Sequence, residues 1–274
     1  MYPHIDIGPV TLQTFGICFA LAFLAAGALI WKRLGEIGRP PDWAYEMAFA
    51  ALIGGIVGSR VYFVVQNYSQ VEHDLIGNLF SGSGLVWYGG AIGGALAVVL
   101  WAWWRGFLGL ALLDLAAPAL AIGYAIGRCG CQLSGDGDYG KPWHGPWAMS
   151  YPEGTVPTEK TVHPTPIYET LAMGLGAWML WQLRDRVRTG VLFAIYLVYA
   201  GAERFLIEFL RRNHHVLAGL TAAQIESLAM VAGGLLWIAI VVRRHGGIWR
   251  DVANRAAEAP RGAGPAASAR STPL

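Results

Sequence analysis

Residues 114–140 read DLAAPALAIGYAIGRCGCQLSGDGDYG. The apolar run in this stretch ends at Arg128, and four glycines and two aspartates follow. Together with the residues before it, the run is long enough to cross a bilayer. Glycines let the backbone turn sharply and approach a ligand. We therefore interpret the stretch as the end of a membrane span followed by a loop that takes part in a site.

The composition of the whole chain is that of a membrane protein. Of its 274 residues, 55% are hydrophobic and 14% are charged, whereas soluble domains have about 25% charged residues. We predict an all-α membrane protein with seven transmembrane helices, since a span needs about 20 mostly apolar residues. These spans lie near 11–31, 43–66, 86–104, 107–127, 166–183, 190–211 and 219–242.

The spans and the residues around them divide the chain into two parts. Residues 1–245 form the transmembrane domain, in which an external loop over 128–165 contributes to the site. Residues 246–274 are rich in Ala, Pro, Gly and Arg and have few large apolar side chains, so we predict a disordered tail.

The distribution of Lys and Arg predicts the orientation. The connections between spans 1–2, 3–4 and 5–6, together with the tail, hold thirteen of these residues, and the other side holds five. Cytoplasmic segments carry the excess of positive charge. We therefore expect the N-terminus outside, the C-terminus in the cytoplasm and the 128–165 loop outside.

Several ionisable side chains lie inside the apolar spans or at their edges. Such groups are costly in a membrane, so each is a candidate for function. The predicted orientation brings several polar side chains to one depth near the external surface: Arg60, Tyr88, Arg128, Arg204, Glu208 and Arg211. Cations outnumber acids there, and paired guanidinium N–H groups match phosphate oxygens well. A lipid headgroup is the abundant phosphate at that depth.

Two alternatives to a lipid site remain open at this point. The first is a structural ion pair, because Arg204, Glu208 and Arg211 have the spacing of one helical face. The second is a small-anion transporter, which predicts polar residues through the full membrane depth. Close helix packing, with no functional signal, is predicted by four glycine pairs: Gly54/Gly58, Gly89/Gly93, Gly90/Gly94 and Gly123/Gly127.

Over residues 8–242 the chain resembles the bacterial prolipoprotein diacylglyceryl transferases. The stretch at 114–140 is the most specific match, since the family signature there runs Gly-Arg-x-Gly-Asn, a short apolar stretch, Gly-Glu and a closing Gly. Five further segments match in order: GGIVGSRVYFVVQN (54–67), GSGLVWYGG (82–90), HPTPIYE (163–169), ERFLIEFLRR (203–212) and LTAAQIESL (220–228).

The resemblance implies a fold, a reaction and a location. The family consists of inner-membrane bundles of seven spans that transfer the diacylglyceryl group of phosphatidylglycerol to the thiol of a lipobox cysteine in a prolipoprotein, releasing glycerol 1-phosphate. The expected partners are phosphatidylglycerol, the lipobox peptide of a prolipoprotein and membrane lipids. We expect a multi-pass monomer of the bacterial inner membrane with its active site towards the outer, periplasmic leaflet. No cofactor, metal or nucleic acid is implied.

Site residues follow from the resemblance, position by position. Arg128 matches the signature arginine that binds the lipid, Arg204 an essential arginine, Asp136 the signature glutamate and Gly140 the closing glycine. The residues implied for catalysis are Arg128, Arg204, Tyr88 and Asp136. Those implied for phosphatidylglycerol binding are Arg128, Arg60, Gly135, Gly140, Glu208 and Arg211. Tyr88 is the first candidate for the proton acceptor, with Asp136 and Glu208 as alternatives.

Some positions depart from the family pattern. Cys131 replaces the signature asparagine, Asp136 is shorter than glutamate, Tyr88 stands where histidine is frequent, and Phe15 replaces a tyrosine. These differences motivate an alternative function, a catalytically impaired paralogue that only binds lipid or lipoprotein. A zinc site from Cys129, Cys131, His144 and His163 would lack spaced CxxC pairs, so no metal is predicted.

Overall fold

A computed structural model describes residues 1–68 and 86–250. The described residues form seven α-helices, which are α1 (Thr14–Glu36), α2 (Trp43–Gln66), α3 (Trp87–Trp104), α4 (Leu110–Ser134), α5 (Thr165–Leu183), α6 (Val191–Ile207) and α7 (Ala222–His245). Three short antiparallel hairpins lie between them, β1 (His4–Ile7) with β2 (Val10–Gln13), β3 (Met149–Tyr151) with β4 (Thr158–Val162), and β5 (His215–Leu217) with β6 (Leu220–Thr221).

The helices confirm an all-α membrane protein. Four of them, α1, α2, α4 and α7, are long and apolar enough to cross a membrane, and Tyr88–Trp104 in α3 is a shorter apolar helix. Each of the seven predicted spans overlaps one described helix. Membrane crossing by α3, α5 and α6 stays a prediction. Helix α6, for example, has only 17 residues and carries Glu203 and Arg204. The orientation of the bundle also stays a prediction.

Helix α4 is longer than its predicted span. It continues past Arg128 to Ser134 and ends at Gly135, whose φ of +59° is in the left-handed region that favours glycine. Gly130 stays helical because it lies against α1, where a Cβ added to it would come within 3.0 Å of Cys18 Cβ. The predicted loop over 128–165 therefore begins only at residue 135.

Glycine-mediated packing is confirmed between α2 and α3. A Cβ on Gly58 would lie 2.4 Å from the carbonyl oxygen of Gly89, and one on Gly93 would lie 2.3 Å from that of Gly54. The prediction holds only in part for the pair Gly123/Gly127. A Cβ on Gly123 would lie 4.0 Å from the carbonyl oxygen of Ala22 in α1, whereas no neighbouring element in the described part of the chain comes within 4 Å of a Cβ placed on Gly127.

The remaining helices pack around α4. Helix α4 contacts α1, α5 and α6, and α7 packs on α6. Asp114 near the start of α4 accepts hydrogen bonds from the backbone N–H groups of Gly190 (2.6 Å) and Phe193 (3.0 Å) at the start of α6. This intramembrane charge is therefore a helix cap, since it satisfies N–H groups that have no partner within α6.

The same end of the bundle carries further ion pairs. Arg184, just after α5, pairs with Glu36 at the end of α1 at 3.0 Å, and Arg105 after α3 pairs with Glu46 in α2 at 2.5 Å. The backbone N–H groups of Arg188 and Arg250 donate to the carbonyls of Ile248 and Arg186, which joins residues 248–250 to the α5–α6 connection. The rest of the predicted tail, 251–274, lies outside the described residues, and so does 69–85, which includes the first four residues of GSGLVWYGG.

Candidate active site

A fully buried carboxylate, Glu169, lies at the other end of the bundle among several cationic side chains. It is in the first turns of α5 and has no exposed surface. Its Oε1 accepts a hydrogen bond from Tyr124 (2.7 Å) and lies 3.3 Å from Arg128 Nε and 3.5 Å from Arg204 Nη1. Its Oε2 accepts from Arg211 Nη1 at 3.4 Å. One side chain thus holds guanidinium groups from α4, from α6 and from the segment after α6.

A second carboxylate, Asp138, joins two of the same arginines. Its two oxygens accept hydrogen bonds from Arg128 and Arg211. The side chain is 32% exposed, in contrast to Glu169. Burial by itself would raise the pKa of Asp138, but the two guanidinium groups lower it below the usual range of a carboxyl. Asp138 is therefore ionised at neutral pH.

The third carboxylate of the cluster is Glu208. Its Oε2 lies 3.0 Å from Arg204 Nη2, and its Oε1 accepts a hydrogen bond from Asn213 at 2.6 Å. Among the described residues, Arg204 Nη1 is buried without a hydrogen-bond partner. Buried N–H groups are nearly always satisfied in folded proteins. This N–H group can therefore donate a hydrogen bond to a ligand.

The loop that carries Asp138 is fixed by glycines on both sides. Gly137 has a φ of +94°, and a Cβ on Gly140 would lie 2.6 Å from the carbonyl oxygen of Leu210. Gly140 donates its N–H to the carbonyl of His163 at 2.8 Å, and Thr165 Oγ1 donates to the carbonyl of Asp138 at 2.6 Å. The loop thus rests against the start of α5 and the segment after α6.

An open polar hollow of about 380 Å³ lies beside the cluster. It is lined by Gly137, Asp138, Tyr139, Arg211, Arg212 and Asn213. Arg212 lies 4.4 Å from the centre of the Tyr139 ring and donates to the carbonyl of Gly137 at 3.3 Å. The hollow gives a small, polar ligand a route to Asp138 and Arg211.

Comparison with known proteins gives the family. The model of the prolipoprotein diacylglyceryl transferase family matches residues 3–240. The chain belongs to this family.

Curated relatives agree with the family match. The phosphatidylglycerol–prolipoprotein diacylglyceryl transferase of Clostridium tetani is 33% identical over 214 residues, covering 74% of this chain and 85% of the relative. The enzyme of Leptospira interrogans is 32% identical, covering 74% of this chain and 73% of the relative. That of a Nostoc species is 30% identical, covering 88% of this chain and 89% of the relative.

Within this transferase fold, the structure brings together part of the predicted set. Arg128, Arg204, Glu208 and Arg211 lie in one cluster, and Gly135 and Gly140 shape the adjoining loop. The predicted i, i+4 pair of Arg204 and Glu208 is found, but the helical face does not continue to Arg211, because α6 ends at Ile207. A turn, in which Arg211 N–H donates to the carbonyl of Glu208 (3.2 Å), brings Arg211 back towards α5.

Two predicted residues lie on the neighbouring helix pair. Arg60 is buried in α2, and Tyr88 is half-exposed in the first turn of α3. Ser59 Oγ donates to the carbonyl of Val86 at 2.9 Å, which holds this end of α2 against the start of α3. Helix α3 packs mainly on α2, and α2 in turn contacts α1. The roles of Arg60 and Tyr88 stay predictions.

Asp136 lies close to the cluster but takes a different position from Asp138. Its Oδ1 accepts a hydrogen bond from the backbone N–H of Asp138 at 3.2 Å. Burial and the charge of Asp138 raise its pKa above the usual range. Asp136, Asp138 and Cys131 place possible metal-ligating atoms within 4.8 Å of one another. Because Asp138 is already paired with two arginines, we retain the expectation that the site needs no metal.

Sequence reasoning did not assign Glu169, Asp138 or Tyr124 to the site. Glu169 is present in the sequence analysis only as the last residue of HPTPIYE. Asp138 lies two residues from Asp136 in the same glycine-rich stretch, and the spacing could not distinguish them. Tyr124 precedes Arg128 by one helical turn, and the Arg128 guanidinium lies 4.9 Å from its ring centre. That i, i+4 spacing was the available signal.

Proposed function

We propose that this protein transfers the diacylglyceryl group of phosphatidylglycerol to the thiol of the lipobox cysteine of prolipoproteins and releases glycerol 1-phosphate. The observation that carries the proposal is the convergence of Arg128, Arg204 and Arg211 around Glu169. Family membership and the names of the relatives support the same reaction. Guanidinium groups are suited to holding a lipid phosphate because their N–H donors match its oxygens.

The arginines would act on the leaving group. In the reaction, a sulfur–carbon bond forms at the terminal glyceryl carbon of the diacylglyceryl group, and the bond between that carbon and the phosphate oxygen breaks. Negative charge then grows on the departing glycerol 1-phosphate. Preorganised donors in a site that excludes water stabilise such charge, and each is worth a factor of about 10²–10³ in rate. Arg204 Nη1, buried without a hydrogen-bond partner among the described residues, is suited to this role.

The thiol of the acceptor must lose its proton. An unperturbed thiol has a pKa of about 8.5, and nearby cations lower it. Tyr88 is our first candidate for the proton acceptor, and Asp136 and Glu208 are the alternatives. Because its pKa is raised, Asp136 is a better proton acceptor near neutral pH than an ordinary aspartate.

The loop at residues 135–140, the glycine loop, and the polar hollow beside it would bind the lipid headgroup. Gly135 and Gly140 leave no side chain between the loop and its neighbours, so the carboxylate of Asp138 reaches Arg128 and Arg211. The hollow at Arg212 and Asn213 is polar, as the glycerol phosphate product requires.

We further infer the cellular setting of this reaction. The protein would cross the bacterial inner membrane seven times as a monomer, with residues 1–245 as the catalytic domain and the C-terminus in the cytoplasm. The active site would face the outer leaflet, where Arg60 contributes to lipid binding. Acceptors would be prolipoproteins with a lipobox cysteine. The distribution of Lys and Arg supports this orientation.

A transfer assay with Arg128→Gln tests the proposed reaction. The full-length protein is supplied with labelled phosphatidylglycerol and a lipobox peptide, and thioether-linked label is measured. We expect kcat to fall by a factor of about 10²–10³, because one charged donor to the leaving phosphate is lost. Arg243→Gln, on the exposed end of α7, is the matched control and should transfer at the unmodified rate. Near-normal transfer by Arg128→Gln would refute the proposed role of Arg128.

Complementation distinguishes the transferase from a catalytically impaired paralogue. The unmodified gene is expressed in bacteria depleted of their own transferase, and growth and lipoprotein lipidation are followed. Rescue is expected for an active enzyme, and lipid binding without rescue would favour the paralogue. The names of the relatives give no support to that alternative.

A further inference from the structure

The charges balance among the ion-paired side chains of the arginine cluster in the described part of the chain. Its ion pairs join three guanidinium groups, Arg128, Arg204 and Arg211, to three carboxylates, Asp138, Glu169 and Glu208. The sequence had suggested an excess of cations. A lipid phosphate that entered this neutral cluster would add an uncompensated negative charge, and such a charge is costly at a site with little water. Binding of an anion therefore requires one carboxylate to leave the arginines.

Asp138 differs from the other two carboxylates in its freedom to move. The side chains of Glu169 and Glu208 are completely buried and belong to the helical part of the bundle, at the start of α5 and at the C-terminal cap of α6. Asp138 lies in a loop, its side chain is 32% exposed, and Gly137 precedes it with a positive φ. Since glycine adopts many backbone conformations, this loop can turn its carboxylate away at lower cost than a helix can.

We propose that Asp138 is a built-in counter-ion that the phosphate of phosphatidylglycerol displaces from Arg128 and Arg211. This inference rests on the proposed function and names the residue that sets the affinity of the site for its lipid. In the unliganded protein the Asp138 carboxylate occupies the N–H groups that the phosphate requires. The apparent affinity for lipid is then the intrinsic affinity multiplied by the fraction of molecules in which the two arginines are free of Asp138.

The hollow beside the loop offers a place for the displaced side chain. Asp138 lines it together with Arg211, Arg212 and Asn213. Among the described residues, Arg212 makes a cation–π contact with Tyr139 and a hydrogen bond of 3.3 Å to the carbonyl of Gly137, and no ion pair. A carboxylate that turned into the hollow would pair with Arg212 in place of Arg128 and Arg211. The exchange keeps each anion paired throughout the reaction.

Steady-state kinetics of Asp138→Asn test the proposal. The full-length protein is assayed in nanodiscs in which the mole fraction of phosphatidylglycerol in phosphatidylcholine is varied at saturating lipobox peptide. We expect the KM for phosphatidylglycerol to fall about five-fold or more, because a neutral amide competes poorly for guanidinium groups. The inhibition constant of added glycerol 1-phosphate should fall by a similar factor. An unchanged or raised KM in a folded variant would overturn the proposal.

Glu153→Gln is the matched control for the loss of one negative charge. Glu153 is exposed in the same segment between α4 and α5, and no ion pair involving it is seen among the described residues. Its KM should equal that of the unmodified protein. An equal fall in KM for both variants would show a general charge effect, and the counter-ion role of Asp138 would be wrong.

A measurement on the unmodified protein decides the question if Asp138→Asn does not fold. Hydrogen–deuterium exchange is compared in phosphatidylglycerol and in phosphatidylcholine nanodiscs. Displacement of Asp138 predicts faster exchange of the amides in 135–141 when phosphatidylglycerol is present, because the loop loses its ties to Arg128 and Arg211. Slower or unchanged exchange there would contradict the proposal.

Failure of this inference can be distinguished from failure of the proposed function. If the unmodified protein transfers lipid and Asp138→Asn keeps its KM, the counter-ion role is wrong and the reaction stands. If the unmodified protein transfers no lipid, the proposed function is wrong. Calorimetric binding of glycerol 1-phosphate to the unmodified protein and to Asp138→Asn then tests the competition without turnover, and equal affinities would overturn it.

Discussion

Glu169 combines full burial with contacts to three cations and a tyrosine hydroxyl. A charge in that position is tolerated because Arg128, Arg204 and Arg211 compensate it from three directions. The same carboxylate fixes the directions of the guanidinium groups, which ties stability to the geometry that phosphate binding requires. Site residues of this kind are under two constraints, because a change that weakens their pairing weakens the fold and the site together.

Glu169→Gln should therefore destabilise the protein. The amide keeps the shape of the side chain but leaves the buried arginines short of one negative charge, and breaking a buried pair costs about 3–5 kcal/mol. Thermal unfolding of the full-length protein in detergent measures the change, and transfer should fall as well. Glu153→Gln, exposed and of the same chemistry, serves as the control. An unchanged unfolding midpoint for Glu169→Gln would show that the cluster does not depend on this carboxylate.

Glycine allows close helix packing at more than one interface, and most directly between α2 and α3. Where α2 crosses α3, backbone lies directly on backbone at Gly54, Gly58, Gly89 and Gly93. Without a hydrophobic driving force between helices in lipid, such close contact supplies van der Waals attraction. This pair carries Arg60 and Tyr88, so its geometry positions the two predicted site residues that lie outside the arginine cluster.

Gly58→Ala should weaken the α2–α3 pair. Its new Cβ would lie 2.4 Å from the carbonyl oxygen of Gly89, and overpacking of this kind costs about 1–3 kcal/mol. Gly27→Ala in α1 is the matched control, because no neighbouring atom of residues 1–68 and 86–250 lies within 4 Å of its Cβ, and alanine favours the helix by about 1 kcal/mol. Thermal unfolding midpoints should move in opposite directions. A Gly58→Ala midpoint at or above that of the unmodified protein would contradict the packing argument.

The whole molecule has two polar ends with different chemistry. One end holds surface ion pairs such as Arg184 with Glu36 and the cap formed by Asp114. The other end holds the buried arginine cluster, the glycine loop and the β3–β4 hairpin. Since the Lys- and Arg-rich connections belong to the first end, the proposed orientation would place the cluster at the external surface.

Labelling with a membrane-impermeant maleimide tests that orientation. In intact spheroplasts, Glu153→Cys should react and Arg243→Cys should react only after permeabilisation, because the first lies between α4 and α5 and the second at the end of α7. Cys18 and Cys131 are buried, and Cys129 is replaced by serine to lower the background. Reaction of Arg243→Cys in intact spheroplasts would reverse the predicted topology.

Much of this fold could be read from local patterns. Apolar runs predict helices because a chain in lipid must satisfy its backbone groups within itself, and each predicted span overlaps a described helix. Helix ends were harder to predict. The extension of α4 to Ser134 depends on Gly130 fitting against α1, and the end of α6 at Ile207 brings Arg211 into the cluster by a turn. Both features arise from contacts between segments far apart in the chain.

The sequence by itself determined which side chains were available for chemistry. Arginines within apolar spans are expected to meet in a shared polar site, because each charge left exposed to lipid is costly. The tertiary structure decided how those charges are paired. Glu169 reaches three arginines because α5 packs against α4 and α6. Asp138, and not Asp136, joins Arg128 to Arg211. This follows from the shape that Gly137 and Gly140 give to the loop that carries Asp138. Helix rotation and loop conformation are set by packing over the whole bundle, which the spacing of residues along the chain does not specify.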